Sequence, residues 1–198
     1  VHIKNLTMVA VPKAATRLAM LERGEADIVY GLPGELIDRV KKNPKMMLAP
    51  VLSGSFWLEF VGFQDPKSPF HDKRVRQAFY QAIDTETIKA RVMRNAATPT
   101  GLMIAPGIKG FVGDMNKRLP HDAEAAKKLL AEAGYPNGFE VGMNCPNDRY
   151  VNDGEICQAV AANLARIGVK INLQAESKAT YFPKILRRDT SFYLLGWT

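Results

Sequence analysis

The first third of the chain alternates short apolar segments with amphipathic ones. The apolar segments are typical of strands, which are predicted at Leu6–Val11, Asp27–Tyr30, Met46–Leu52 and Ser55–Phe63. Helices are predicted at Ala14–Arg23, where Gly24 gives a stop signal, and at Glu35–Lys42. Strands and helices in this mixed order predict an α/β fold.

The middle of the chain opens with residues 64–71, a segment with two prolines and no periodicity, which is expected to link two parts of the fold. Asp72 is expected to cap a helix with one apolar face, and Asp84 a second helix through Val92. Residues 95–120 hold three prolines and four glycines and are predicted to be an irregular surface segment.

The clearest pattern lies in residues 123–175, where helix, strand, helix and strand follow one another. Asp122 is expected to cap the first of these helices, and Gly134 to end it. A shorter helix is predicted near Thr180–Leu186. Strands are predicted at Phe139–Met143, Val169–Leu173 and Phe192–Trp197.

The composition is that of an ordinary globular protein, because hydrophobic residues make up 46% of the chain and charged residues 24%. No apolar run approaches the roughly 20 residues that cross a bilayer. The net charge of +7 raises nucleic acid as a partner. Lysine and arginine are spread along the chain instead of being concentrated on one face, so a solvated basic surface and no nucleic-acid binding are expected.

The sequence shows no motif for catalysis, a cofactor or a metal. Ser53-Gly54-Ser55 lacks the glycine pattern of a nucleophile turn and is typical of a turn between strands. Phosphate loops and dinucleotide fingerprints are absent, and the three histidines are far apart in sequence. No enzyme activity, cofactor or metal is expected, while a hydrolase on an α/β scaffold and a basic nucleic-acid-binding module remain the alternatives.

The two cysteines leave two interpretations open. Cys145 is expected at the end of a strand and Cys157 early in the following helix. In an oxidising compartment a disulfide between them would hold the intervening loop, whereas in the cytosol they would be two buried thiols. The chain begins at Val1 without a signal peptide, as a mature or excised piece would.

Five segments carry a family pattern through their order and spacing. The most specific is Ser68-Pro69-Phe70-His71-Asp72-Lys73-Arg74-Val75-Arg76-Gln77-Ala78-Phe79, followed by Ala82-Ile83-Asp84. The others are Arg17–Ile28, Ala125–Tyr135, Leu164–Val169 and Gly196-Trp197. Together they resemble the extracytoplasmic solute-binding proteins, family 5, that deliver peptides, nickel and related solutes to ABC importers.

The resemblance implies a partial type II periplasmic-binding-protein fold, in which two lobes with mixed sheets close on a ligand by hinge motion. Residues 1–63 would be the end of the first lobe and the crossing strand, and residues 64–198 an incomplete second lobe. Family members are much longer, so the chain is expected to be an internal segment. The implied protein is a periplasmic or otherwise extracytoplasmic monomer, with a lipid anchor as an option, that hands a peptide or similar small solute to membrane permease subunits.

The resemblance also indicates four ligand contacts. Arg149, followed by Tyr150, matches an arginine that pairs with the ligand's carboxylate, and guanidinium groups bind carboxylates through two hydrogen bonds. Trp197, Tyr30 and Trp57 are expected to line the cleft, Trp57 from its hinge side. The alternatives are a water-exposed arginine and two tryptophans of the core. Peptides, nickel chelates, sugars and opines all remain open as ligands.

Overall fold

The computed structural model describes residues 2–49 and 54–197 and divides into two compact units, residues 1–50 and 51–198. The described part of the first unit contains two helices, α1 (Ala14–Arg23) and α2 (Gly34–Lys42), as predicted. Gly24 ends α1 because its positive φ of 74° turns its N–H back onto the carbonyls of the last turn.

The strands predicted for the first unit are not found among residues 2–49. Leu6–Val11 and Asp27–Tyr30 lie outside any strand, and Leu6 is 76% exposed. A strand needs a neighbouring strand to take up its backbone N–H and C=O groups, and these segments pair with none in the described part of the unit. The same prediction for Met46–Leu52 fails at residues 46–49, and its remainder lies outside the described residues.

The second unit is built on a four-stranded mixed sheet with the order β1-β4-β2-β3. Its strands are β1 (Ser55–Phe60), β2 (Glu140–Pro146), β3 (Lys170–Glu176) and β4 (Phe192–Trp197). β1 runs antiparallel to β4, with Ser55 opposite Trp197, and β2 runs parallel to both β3 and β4. The strand predicted at Ser55–Phe63 therefore ends three residues early, and the other strand predictions of this unit are confirmed.

The helices of the second unit begin and end largely at the predicted signals. They are α3 (Lys73–Ala82), α4 (Thr85–Thr87, continued by a π-helical turn at Ile88–Val92), α5 (Ala123–Glu132), α6 (Asp153–Ala165) and α7 (Lys178–Leu186). Asp72, Asp84 and Asp122 each accept a backbone N–H at a helix start, as expected of capping residues. Residues 95–120 are irregular apart from one 3₁₀ turn at Gly113–Met115.

A cluster of aromatic rings fills the core between the sheet and α3. Phe70, Phe79 and Phe192 are almost completely buried, and the Phe70 and Phe79 ring centroids lie 5.2 Å apart. Phe60 of β1 stacks on Phe192 with a centroid distance of 5.2 Å. Since strand side chains alternate, Trp57 points to the face opposite this core. In residues 2–49 and 54–197 no helix has the length and apolar character that a membrane span needs.

Candidate functional site

Three strands have an end at the same edge of the sheet, the edge that lies across the strand direction. β2 and β4 are parallel and finish at this edge, and β1 begins there because it is antiparallel to β4. The loop 147–152 follows β2 directly and carries Arg149, while Trp197 is the last residue of β4. We call this the carboxyl edge of the sheet, defined by the loop 147–152, Trp197 and Ser55.

Tyr150 fastens the loop to the end of β4. Its buried hydroxyl accepts a hydrogen bond from the Gly196 N–H at 2.9 Å and donates one to the Gly196 carbonyl at 3.0 Å. Its ring packs against Phe56, with 5.1 Å between centroids. A Cβ at Gly196 would lie 2.6 Å from the Phe56 ring and 3.0 Å from the Ser55 carbonyl, so only glycine allows this close approach. Arg149 and Trp197 are thereby held at the same edge.

Asp153, the first residue of α6, holds the backbone of the same loop. Its carboxylate accepts hydrogen bonds from the N–H groups of Arg149 at 2.9 Å and Tyr150 at 2.8 Å. The side chain is buried, with 4% of the residue exposed. Burial raises the pKa of the Asp153 carboxyl, although hydrogen bonds from backbone N–H groups act in the opposite direction.

A disulfide between Cys145 and Cys157 closes the segment that contains the loop. The two residues are 12 apart in sequence, and both are fully buried. Cys145 lies in β2 and Cys157 in α6, so the bond joins the strand before the loop to the helix after it. The structure therefore selects the disulfide from the two interpretations that the sequence left open.

The Arg149 side chain is exposed at the carboxyl edge. Its guanidinium carbon lies 4.9 Å from the centroid of the Tyr150 ring, a distance typical of cation–π contact. Among the described residues no carboxylate forms an ion pair with Arg149. The group is thus oriented by a ring while its N–H donors stay available for a bidentate contact with a carboxylate.

The two tryptophans share the sheet face opposite the core. Trp197 is 75% exposed, unlike a core aromatic. Trp57 is half-buried, and its indole N–H donates to the Glu59 carboxylate at 2.6 Å. Glu59 also accepts the hydroxyl of Tyr193, so the Trp57 ring is held by a hydrogen-bonded pair of side chains. Trp57 lies two residues along β1 from the carboxyl edge, opposite Leu195.

Tyr30 belongs to the first unit, where it is 73% exposed. Its carbonyl accepts from the Arg17 guanidinium at 3.1 Å, and the Gly31 carbonyl does so at 2.9 Å. Arg17 also donates to the carbonyls of Val11 and Pro12. One arginine of α1 therefore connects the two segments that are predicted as strands, a role that no sequence signal indicated.

Residues 2–49 and 54–197 contain no group of three histidine, cysteine or carboxylate side chains suited to hold a metal ion. A polar cavity of about 440 Å³ lies elsewhere in the second unit, lined by Asn144, Gln174, Lys184 and Arg188 among others. It contains none of the four residues that the sequence singled out.

Curated relatives align with nearly the whole chain. Heme-binding protein A of Haemophilus influenzae is 30% identical over 204 residues, which cover 99% of this chain and 36% of the relative. Glutathione-binding protein GsiB of Escherichia coli K12 is 28% identical over 173 residues, which cover 87% of this chain and 33% of the relative. The chain thus spans about a third of the length of the curated relatives it matches.

Solved structures share the fold. The periplasmic binding protein AgaA of A. tumefacien R10, in complex with agropinic acid, superposes with a TM-score of 0.80 at 30% identity, covering 94% of this chain and 37% of that one. A dipeptide-binding protein of Pseudoalteromonas sp. SM9913, in complex with Met-Leu, gives a TM-score of 0.76 at 25% identity, covering 95% and 37%. The chain has part of a type II periplasmic-binding-protein fold, as the resemblance implied.

A family model gives the broadest match. The family described as "Bacterial extracellular solute-binding proteins, family 5 Middle" matches residues 1–198. Its members are substrate-binding proteins of ABC transporters and not enzymes, which removes the support for the hydrolase alternative. The chain therefore belongs to the family 5 bacterial extracellular solute-binding proteins.

Proposed function

We propose that the protein containing this chain is the substrate-binding component of an ABC importer. It captures a peptide or similar small solute between two lobes and delivers it to the permease subunits in the membrane. The observation that carries the proposal is the match of all 198 residues to the solute-binding family. The geometry of the carboxyl edge adds the chemistry of the ligand.

That chemistry points to a solute with a free carboxylate. Arg149 presents its guanidinium at the edge without an ion pair to any described residue, and such a group binds a carboxylate through two charge-assisted hydrogen bonds. One relative is named for glutathione, and one structural neighbour was solved in complex with the dipeptide Met-Leu. Both of these ligands contain a carboxylate. A carboxylate in contact with Arg149 would also lie near the start of α6, whose N–H groups favour negative charge.

The aromatic residues are proposed as the apolar lining of the cleft. Trp197 offers a large exposed ring at the same edge as Arg149. Trp57 would contribute from the hinge side and Tyr30 from the first lobe. In this proposal residues 1–63 end the first lobe and form the crossing strand, and residues 64–198 belong to the second lobe, which is a prediction from the resemblance.

The proposed compartment is the periplasm or another extracytoplasmic location, with a lipid anchor as an option. The disulfide between Cys145 and Cys157 supports it, since such bonds persist in oxidising compartments. The protein is proposed to act as a monomer and to bind no nucleic acid. Its basic residues are spread along the chain, and they are proposed to form a solvated surface.

The test uses the full-length protein and isothermal titration with Met-Leu, glutathione and Met-Leu amide, which lacks the terminal carboxylate. We expect the two carboxylate probes to bind and to raise the melting temperature. Arg149→Ala should weaken their binding about 10- to 100-fold, because a charged hydrogen-bonded pair is lost. Arg166→Ala, an exposed arginine at the other end of α6, is the matched control and should change nothing.

The outcomes separate the two parts of the proposal. If neither these probes nor a wider panel of peptides, opines and metal chelates binds the wild-type protein, the transport function is wrong. If the carboxylate probes bind the wild type and Arg149→Ala equally well, the transport function stands and the assignment of Arg149 is wrong.

A further inference from the structure

The Asp153 carboxylate is buried without a cationic partner. None of the ion pairs among the described residues includes it, and its three hydrogen bonds all come from backbone N–H groups. Aspartate is seldom this deeply buried unless it is paired, because the charged form loses its hydration. Accepting these backbone N–H groups is a role that an apolar side chain could not fill.

The direction of its hydrogen bonds distinguishes Asp153 from an ordinary capping residue. Asp122 caps α5 in the usual way, since its carboxylate accepts the N–H of Ala125, three residues further along the helix. Asp153 instead accepts the N–H groups of Arg149 and Tyr150, which precede α6. Its main contacts therefore organise the loop and not the helix that it begins.

Both loop hydrogen bonds end on the same oxygen. Oδ2 of Asp153 accepts from two consecutive amides, those of Arg149 and Tyr150, so the peptide planes on either side of the Arg149 Cα are held. The other carboxylate oxygen accepts the N–H of Gly154 at 3.0 Å. Together with the Tyr150 hydroxyl on Gly196, this fixes the point from which the Arg149 side chain leaves the backbone.

We infer that Asp153 is a positioning residue for ligand binding, which acts by holding the loop backbone so that Arg149 presents its guanidinium to a solute carboxylate at the carboxyl edge. The inference rests on the proposed function in its use of Arg149 as the ligand contact. The Asp153 carboxylate itself touches no ligand and works only through Arg149. This purely indirect role makes a quantitative prediction about how the two residues combine.

The test uses the full-length protein and two variants of Asp153. Asp153→Asn keeps one oxygen that can accept both loop amides, and its affinity for Met-Leu should stay within about 3-fold of the wild type. Asp153→Ser keeps a short acceptor at the start of α6 but does not reach the loop amides, and it should weaken Met-Leu binding about 10-fold. Binding of Met-Leu amide, which lacks the carboxylate, should be unchanged in both.

The decisive measurement is the coupling between Asp153→Ser and Arg149→Ala. If Asp153 acts only through Arg149, the double variant binds Met-Leu no more weakly than Arg149→Ala alone, within about 2-fold. Asp122→Ala removes a helix cap of the same unit and serves as the control for general destabilisation. It should leave Met-Leu affinity within about 2-fold of the wild type.

Several results would overturn the inference. They are additive losses in the double variant, an asparagine variant as weak as Arg149→Ala, and an equal loss for Met-Leu amide. If the serine variant does not fold, the inference is judged by the Met-Leu affinity of the asparagine variant alone. If wild-type protein binds neither these probes nor the wider panel of peptides, opines and metal chelates, the proposed function fails, and hydrogen exchange still tests the positioning claim. The Arg149 and Tyr150 amides must then exchange at least about 10-fold faster in Asp153→Ser than in wild type, with the α5 amides unchanged.

Discussion

Two segments with similar sequence patterns behave differently in the two units. Val169–Leu173 alternates apolar and polar residues and lies largely within β3, where Ile171 pairs with Val141 of β2. Leu6–Val11 is also rich in apolar residues but stays outside any strand, with Leu6 76% exposed. A strand-like pattern indicates which side chains favour a pleated surface. A strand forms only if a neighbouring strand pairs with its backbone N–H and C=O groups.

The same comparison separates the ways in which the units are held together. The second unit packs an aromatic core around Phe79 and closes its site loop with a disulfide. In residues 2–49, the fully buried Leu18 is accompanied by hydrogen bonds from Arg17 to four backbone carbonyls. Apolar burial thus dominates one unit and polar bridging is prominent in the other. The substitutions below test this contrast.

The largest effect is expected from Phe79→Ala in the full-length protein. Phe79 is completely buried among other rings, so its removal should lower the free energy of unfolding of the second unit by about 3–5 kcal/mol. Leu6→Ala is the matched change in the first unit and should cost less than about 0.5 kcal/mol, because the side chain is exposed. Urea unfolding measures both. A loss above about 2 kcal/mol for Leu6→Ala would show that residues 6–11 form a buried strand after all.

The next largest effect is expected from removing the disulfide by Cys145→Ala together with Cys157→Ala. Closing a loop with a sequence separation of 12 should contribute about 2–4 kcal/mol by restricting the unfolded chain. Hydrogen exchange should become faster in the loop 147–152 and in α6, and should stay the same in α1 and α2. Equal acceleration in all four segments would show that the disulfide does not act locally on the loop and α6.

A smaller loss is expected for Tyr150→Phe. The change removes the two hydrogen bonds to Gly196 and should cost about 1–3 kcal/mol, measured by thermal or urea unfolding. Tyr135→Phe is the control, since the Tyr135 ring also packs on the core and its hydroxyl forms no hydrogen bond with a described residue. It should leave stability within about 0.5 kcal/mol. Equal effects of the two changes would mean that the Tyr150 hydroxyl does not fasten the loop.

The smallest effect is expected at acid pH, where two aspartates at helix starts should change the stability of the protein in opposite directions. Hydrogen bonds from Arg74 lower the pKa of Asp72 to about 2. The stability that ionised Asp72 contributes is therefore present above the usual pKa of aspartate and is lost as the pH falls through about 2. Burial raises the pKa of Asp153, so its ionisation costs stability as the pH rises through that pKa. NMR titration of both carboxyl carbons checks the order. We expect Asp72 to titrate at the lower pH, and the reverse order would contradict these assignments.

Local signals explain why most of the second unit could be predicted from the sequence. Helix α5 begins after Asp122 and ends before Gly134, and both signals lie within a turn of the boundary that they set. The antiparallel pairing of β1 with β4 could not be predicted in this way. It joins residues such as Phe60 and Phe192, which are far apart in the chain.

The candidate site shows the same limit. The sequence identifies Arg149 only through a resemblance, and its neighbour Tyr150 enters only as part of that motif. The contact of Tyr150 with Gly196 spans 46 residues, and the contact of Glu59 with Tyr193 spans 134. Asp153 had a weak local signal as an acidic residue at a helix start, but its burial and its backward hydrogen bonds depend on the folded loop.

A crystal structure of the full-length protein with Met-Leu or glutathione bound would show directly how the carboxylate of the solute is held. We expect a carboxylate of the solute in a bidentate contact with the Arg149 guanidinium, with N···O distances of about 2.7–2.9 Å. The indole ring of Trp197 should lie against the same solute, and Asp153 should still hold the loop amides. A solute whose carboxylate is bound elsewhere, with Arg149 left in solvent, would contradict it.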